Sequence, residues 1–437
     1  MDLRRIILET LLAMEKDDKS YAIIGQVLDK YAYLDRRDRA FIKRVLEGCI
    51  ERRIELDYIT DQKSRTPVSK MKPVIRAIMR MSVYQLKYMD SVPSSAVCNE
   101  AVKLAVSKGF SGLKGFVNGV LRSVSSGLDD IEYPDPGTDE GLSVRYSCPL
   151  WLVTQLAGEI GRDNTEAMLK AALRPSRLYI RINVSKITPS QYAAMLDEAG
   201  IRHGSVPRLS CAMTVDDIDT VTALPGYDRG LFNVQDLGSM LVTELAGINK
   251  GDTVFDVCAA PGGKSMHALD ILNGSGHLYS FDISDRKLEL IKDNAARSGY
   301  SNIDIMKADA SVFDPRYEGM ADVLIADLPC SGIGVMGRKN DIKYNLTPER
   351  EVALVKIQRE ILANVSRYVK PGGTLVYSTC TVHRAENEDN FRWIAKELPF
   401  EPVAVPGLLP EGYVQFIPGV DECDGFFISR FRRIKDK

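Results

Sequence analysis

No Cys-x-x-Cys pair occurs in this chain of 437 residues, and only four histidines are present. None of those histidines stands at metal-ligand spacing from a cysteine pair, so no metal is expected. The eight cysteines, at 49, 98, 148, 211, 258, 330, 380 and 423, are scattered singly. A disulfide framework is therefore not expected, and a cysteine that matters here does so as a free thiol. Long apolar runs are missing too: none approaches the roughly 18–20 residues of a membrane span. The N-terminal stretch MDLRRIILETLLAMEKDD is interrupted by Glu9 and lacks a small-residue cleavage site, so it does not read as a signal peptide. These absences lead to the expectation of a cytoplasmic, monomeric protein with no membrane partner.

A strong net charge is also lacking: 57 Lys+Arg face 59 Asp+Glu. The distribution is uneven, however. Residues 1–127 hold 23 Lys and Arg against 15 Asp and Glu, an excess of eight, which leaves the remainder acidic. That asymmetry suits an anionic partner such as RNA, and equally a solvated helical surface. Apolar residues make up 45% and charged residues 27%, which is a globular composition. The length allows about three domains of roughly 150 residues.

The pattern along the chain changes several times. Residues 1–127 read as a helical bundle, with amphipathic segments at 3–14, 34–60, 74–88, 96–106 and 113–124. In residues 34–60, Phe41, Ile42, Val45, Leu46, Cys49 and Ile50 recur at helical spacing. Residues 128–141, rich in Pro, Gly and acids, read as a linker. Residues 142–230 read as a small α/β module, with helices near 151–160 and 165–172, strands at RLYIRINVS and CAMTV, and a helix ended by Gly200. From residue 231 short apolar strands (TVFDVC, HLYSFD, NIDIM, DVLIAD, TLVYST) alternate with helices, the mark of a parallel sheet covered on both faces. YVQFIP and DGFFISRFRR close the chain as an expected antiparallel pair.

DVCAAPGGKS, residues 256–265, follows the first of these strands and opens a helix. That is where a doubly wound sheet takes a nucleotide-like ligand. A dinucleotide fingerprint needs G-x-G-x-x-G, which is not there. A phosphate-binding P-loop needs a glycine where Cys258 stands, although Gly263, Lys264 and Ser265 fit. S-adenosyl-L-methionine has no phosphates and needs neither glycine. It needs a carboxylate for its ribose, which Asp282 offers at the end of the second strand. It also needs polar contacts to adenine, for which Asp309 is placed after the third. A single aspartate at a strand end is more often a cap or turn residue; three after successive strands point to a ligand.

The next two strands end in DLPCSG and YSTCT. Neighbouring carboxyl ends form one crevice, so Asp327, Cys330 and Cys380 are expected to converge there. An oxygen or amine acceptor needs only a base, whereas C5 of a pyrimidine needs a thiolate added at C6. Asp327 then suits the developing charge at N3, and the second thiol suits product release. Packing as small apolar residues is the ordinary role of cysteine, and it is the reading for Cys49, Cys98, Cys148, Cys211 and Cys423. Lys264 is a candidate for lowering the nucleophile's pKa. An amine methyltransferase and an assembly factor with a degenerate enzyme domain are the rival readings.

DVCAAPGGKS, DLPCSGIGVMGRKNDIKYN, YSTCT, GLFNVQDLGSML and DGFFISRFRR closely resemble motifs of the RsmB/NOP family of RNA cytosine-5 methyltransferases. The resemblance spans residues 142–437. It implies that Cys380 is the nucleophile and that Cys330 assists release. It also implies cofactor contacts from Cys258, Ala259, Ala260, Pro261, Gly262, Gly263, Lys264, Asp282, Asp309 and Asp327. Residues 1–127 resemble NusB-like domains through PSSAVCNEAVKLAV and KGFVNGVLRSV. A NusB-like domain joined to an RsmB/NOP enzyme is the architecture of bacterial 16S ribosomal RNA cytosine-5 methyltransferases. The implied fold is multidomain: an all-α NusB-like bundle at 1–127, an RRM-like RNA-binding module at 142–230 containing Arg181-Ile-Asn183, and an α/β Rossmann-like class I methyltransferase domain at 231–437. The implied partner is one cytosine of 16S ribosomal RNA.

Overall fold

A computed structural model describes residues 2–15, 20–207, 209–216, 218 and 220–434. Met1 and residues 16–18 of the N-terminal stretch discussed above lie outside these. The chain divides into two compact units, one of Met1–Arg174 with Met336–Asn345, the other of Pro175–Val335 with Leu346–Lys437. Among the described residues no helix is long and apolar enough to cross a membrane.

The first unit is helical. Its helices Leu3–Met14, Ser20–Lys30, Arg36–Glu51, Arg53–Lys63, Pro73–Tyr88, Ser94–Ser107 and Lys114–Ser126 bury the apolar stripes that the sequence shows, around Ile7, Leu8, Ile42, Leu46, Ile78 and Leu121. The stretch 34–60 is two helices, not one, because the backbone breaks at Arg52 (φ −105°, ψ 15°). Residues 128–138 have no regular structure, yet they are not a free linker. Ile131 is buried in the helical core, and the Tyr133 hydroxyl donates to the buried Glu55 (3.0 Å). Tyr58 and Gln62 both donate to the Glu132 carbonyl. The helices Leu150–Ile160 and Arg162–Ala172 belong to this unit, so the compact unit runs well past residue 127. Arg162 ties them back to Asp139 at 2.7 Å.

The second unit holds two sheets. The smaller is antiparallel, built from β1 (Leu178–Ile182), β2 (His203–Ser205), β3 (Ala212–Val215) and β4 (Phe232–Val234) in the order β2-β3-β1-β4. Helix Pro189–Glu198 joins β1 to β2, and a single 3₁₀ turn stands where a second helix would complete a ferredoxin-like module. β4 lies beyond residue 230 and pairs with β1, Arg181 opposite Asn233, so the GLFNV segment completes the small sheet.

The larger sheet contains β5 (Thr253–Asp256), β6 (His277–Asp282), β7 (Ile303–Lys307), β8 (Ala321–Asp327), β9 (Val369–Thr379), β10 (Phe400–Pro402), β11 (Tyr413–Phe416) and β12 (Phe426–Arg433). Its order is β10-β12-β9-β8-β5-β6-β7, with β11 paired to β12. β5 to β9 are parallel, and β12 runs antiparallel to β9, β10 and β11. Alternate residues of the central strands enter two separate cores: Val323 and Ile325 on one face, Leu324 and Ala326 on the other. This two-faced burial explains the near-continuous apolar strands. From β5 the chain winds outward through β6 to β7, then crosses back to β8 on the other side of β5. The crevice at the carboxyl ends of β5 and β8 is therefore the switch point where such sheets bind ligands.

Candidate active site

Backbone geometry shapes the loop after β5. Gly262 adopts φ +101° at the start of helix Gly263–Leu272, a left-handed conformation that glycine alone adopts without strain. The N–H of Gly262 donates to the Ala259 carbonyl, and that of Ala259 donates to the Phe281 carbonyl of β6. Asp282, buried at the end of β6, accepts from Ala260 N–H (3.3 Å) and Ser284 N–H (3.2 Å). Asn294 holds the Pro261 carbonyl (3.0 Å). Residues 258–264 and Asp282 are thus one hydrogen-bonded construction. Burial, with Asp256, Asp282 and Asp327 nearby, pushes the Cys258 thiol up.

Below the loop, Asp256 is fully buried. One of its oxygens accepts from Ser265 (2.7 Å), and the other has no partner. Burial raises its pKa to about 6 against the opposing help of Ser265 and Lys264. Asp309 is exposed, and its carboxylate closes a turn on its own Ser311. It lines a cavity of about 310 Å³ with Val257, Phe281, Ala310 and Tyr317. Val312, 64% exposed, lines the same cavity, and an apolar side chain there suits the face of a flat ligand; nothing in its sequence position announces it. Ile283, just beyond β6, is 60% exposed.

The β8–β9 register sets Asp327 opposite Ser378. The Ser378 hydroxyl donates to Asp327 (2.8 Å), and the Lys264 ammonium donates to its other oxygen (2.6 Å). Burial works against the Lys264 ammonium. The charge and hydrogen bond of Asp327 outweigh it, with Asp256 and a Cys380 thiolate acting in the same sense, so its pKa lies above the usual lysine range. Beyond the strand ends the two sulfurs meet, Cys330 Sγ lying 3.3 Å from Cys380 Sγ. Hydrogen bonding to Cys380, then burial, holds the Cys330 thiol well above the usual range. Either sulfur can be the donor in this contact.

Polar residues that the sequence did not single out brace this pair. Glu386 is fully buried and accepts from Ser331 N–H (3.0 Å) and Gln358 (2.8 Å). Gln358 also donates to the Pro329 carbonyl (2.9 Å), and Ser331 and Thr381 share a hydroxyl contact at 2.7 Å. No sequence motif marks Glu386 or Gln358; only the fold brings them under residues 329–331. Arg181 and Asn183, placed by the sequence in an RNA-binding module, are fully buried. Arg181 bonds Gln235 and Asp270, and Asn183 bonds the Gly230 carbonyl, so both join secondary-structure elements and face no solvent. Away from the crevice, His267 does approach a cysteine: the ligand atoms of Cys211, Glu244 and His267 lie within 4.8 Å of one another. They are linked by hydrogen bonds through Glu244, and burial lowers His267 to about 4.

The switch-point crevice, the loop after β5 and the carboxylates after β6 and β7 define an S-adenosylmethionine-dependent methyltransferase. The 16S rRNA methyltransferase RsmB/F family model matches residues 243–432, the NusB family model residues 1–126, and a ferredoxin-like domain model of RsmF/B-like methyltransferases residues 148–222. The chain is 33% identical over 447 residues to a "Probable ribosomal RNA small subunit methyltransferase B" of Bacillus subtilis, with 98% of each chain covered. It is 29% identical over 400 residues to the "Ribosomal RNA small subunit methyltransferase B" of Cronobacter sakazakii, with 90% of each covered. Among solved structures, that of PH0851 superposes with a TM-score of 0.80 at 24% identity, covering 98% of this chain and 97% of that one. NSun6 from Pyrococcus horikoshii with SFG gives 0.57 at 20% identity, covering 64% and 97%. The chain belongs to the RsmB/F family of 16S rRNA methyltransferases.

Proposed function

We propose that this chain methylates C5 of a cytosine in 16S ribosomal RNA, with Cys380 as nucleophile and Cys330 assisting release. The observation that carries the reading is the 3.3 Å contact between the two sulfurs at the mouths of neighbouring strands. A carbon acceptor is what calls for a thiolate; an amine acceptor would leave both thiols without work. The bound cofactor supplies an electrophilic methyl group on a sulfonium. The residues present fit it: the loop at 258–264 would approach it, Asp282 would take the ribose, and Asp309 and Val312 in their shared cavity would hold the adenine. The unpartnered oxygen of Asp256 is an acceptor beneath them.

Cys380 adds to C6, forming the S–C6 bond and moving the C5–C6 electron pair toward C5 and N3. Asp327, held by Lys264 and Ser378, would hydrogen-bond N3 as charge develops there; a proton shared with N3 at this point returns to Asp327 when the ring is restored. C5 takes the methyl group. A base then removes the C5 proton, the C5–C6 double bond re-forms, and the Cys380 thiolate leaves. Cys330, 3.3 Å away, assists by donating its S–H to that departing sulfur. C6 is unreachable in a stacked helix, so the base is extruded. Arg36, Arg37, Arg39 and Lys43 are exposed beside Tyr33 and offer the helical unit's phosphate-binding face. Nucleoside analysis of methylated 16S RNA tests the reading: 5-methylcytidine is expected, and an N4-methylcytidine product overturns it.

A further inference from the structure

The peptide groups on either side of Cys330 are held from one place. Glu386, fully buried, accepts from Ser331 N–H (3.0 Å) and from the Gln358 amide (2.8 Å), and that same amide donates to the Pro329 carbonyl (2.9 Å). The other Glu386 oxygen is buried without a hydrogen-bond partner. Burying a carboxylate is costly unless hydrogen bonds replace its water, and this one takes a bond from the loop that carries Cys330. Burial, against the help of Ser331 and Gln358, raises its pKa.

The next residue in the chain does the same for Cys380. Asn387 is buried; its side-chain oxygen accepts from the Thr379 hydroxyl (2.5 Å), and its amide donates to the Thr381 carbonyl (3.0 Å). Both neighbours of Cys380 are thus tied to one side chain. The Cys380 carbonyl itself accepts from Gly334 N–H (3.1 Å), where a Cβ would lie 2.8 Å from that oxygen. The pair is braced in turn: the Tyr377 hydroxyl and the Asn390 amide donate to the Glu386 carbonyl, and Asn390 also donates to Gln358 (2.8 Å). The Ser331–Thr381 hydroxyl contact (2.7 Å) joins the two halves beside the sulfurs. All these residues belong to the catalytic unit. Apolar side chains of similar volume would fill the same space at no loss of stability, so packing alone does not call for an acid and an amide here.

We infer that Glu386 and Asn387 are positioning residues with divided work: Glu386 sets Cys330 for the release step, and Asn387 sets Cys380 for addition to C6. Each acts through the groups beside its cysteine and not on the reacting atoms. Two adjacent residues of one loop therefore govern two different steps. The inference rests on the cysteine roles proposed above.

The test uses the full chain with Glu386→Ala, Glu386→Gln, Asn387→Ala and Asn387→Asp. Single-turnover methyl transfer at saturating 16S RNA, steady-state turnover, and covalent protein–RNA on denaturing gels are measured on each. Misplacing a reacting group by about 1 Å costs roughly 100-fold. Glu386→Ala is expected to lower steady-state turnover about 10- to 100-fold and to accumulate the covalent band, with single-turnover transfer within about threefold of wild type. Asn387→Ala is expected to lower single-turnover transfer about 10- to 100-fold and to accumulate no band. Glu386→Gln, which keeps an acceptor for Ser331 N–H, and Asn387→Asp, which keeps the Thr379 bond and loses the Thr381 bond, fall between their alanine variants and wild type. Equal losses at both steps from both positions, as a merely structural role gives, overturn the inference, and so do wild-type values throughout. If the alanine variants do not fold, the Gln and Asp variants decide by the same criteria. Cys330→Ala is the control: if it traps no RNA, the cysteine roles proposed above fail; if it traps RNA and the Glu386 variants do not, the division of work fails alone.

Discussion

Replacing Lys264 by methionine removes one charge and keeps the length of the side chain. The Lys264 and Asp327 side chains are 11% and 25% exposed, with 2.6 Å between nitrogen and oxygen. Taking one partner from a pair this buried leaves Asp327 uncompensated and is expected to cost about 2–4 kcal/mol of stability. The chemical effect follows from position: Lys264 and Ser378 together hold the Asp327 carboxylate, three residues before Cys330. Misplacing a reacting group by about 1 Å costs roughly 100-fold, so the single-turnover rate of Lys264→Met is expected to fall about 10- to 100-fold. Lys264→Arg, which keeps the charge, is expected to lose less. Single-turnover methyl transfer and denaturant unfolding are measured on both variants. A rate and a stability for Lys264→Met within about threefold and about 0.5 kcal/mol of wild type refute the role of Lys264 in holding Asp327.

Two further expectations concern the frame of the site. Asp256 has a folded pKa of about 6, raised by burial, against about 3.9 when unfolded. A raised carboxyl favours the fold below the unfolded pKa and loses that contribution as pH rises through about 6, which amounts to about 3 kcal/mol by neutral pH. Asp256→Asn is therefore expected to flatten the pH dependence of denaturant unfolding between about pH 4 and 7; a slope identical to wild type contradicts this. Gly334→Ala places a Cβ among backbone atoms that cannot yield. It is expected to destabilise by about 1–3 kcal/mol in chemical denaturation and to slow methylation; full stability and activity would show that the close approach at Cys380 is dispensable.

Much of the catalytic sheet was legible because its strands are continuous apolar runs ended by chemistry-bearing residues. Five such runs became β5 to β9, and the carboxyl-end rule alone placed Asp327, Cys330 and Cys380 together. What stayed hidden depends on distant partners. Arg181 reads as a surface residue on a strand until Asp270, 89 residues on, neutralises it in the core. Glu386 reads as a loop acid until Ser331 and Gln358 arrive from other elements. The break at Arg52 left the apolar period of residues 34–60 intact, so periodicity ran straight through it. The segment 336–345 sits inside a motif read for its cysteine, and nothing local says that the chain crosses to another unit there. Asp309 was placed at the right strand end, but the choice of its carboxylate to bond Ser311 is a local turn preference.

The central claim is that Cys380 bonds to the base and Cys330 releases it. Cys330→Ala and Cys380→Ala are each incubated with 16S RNA and S-adenosylmethionine and resolved on denaturing gels. The account predicts a slow, nuclease-sensitive protein–RNA band for Cys330→Ala alone, and no methyl transfer by Cys380→Ala. A band from Cys380→Ala, or sustained turnover by both variants without any trapped RNA, contradicts it.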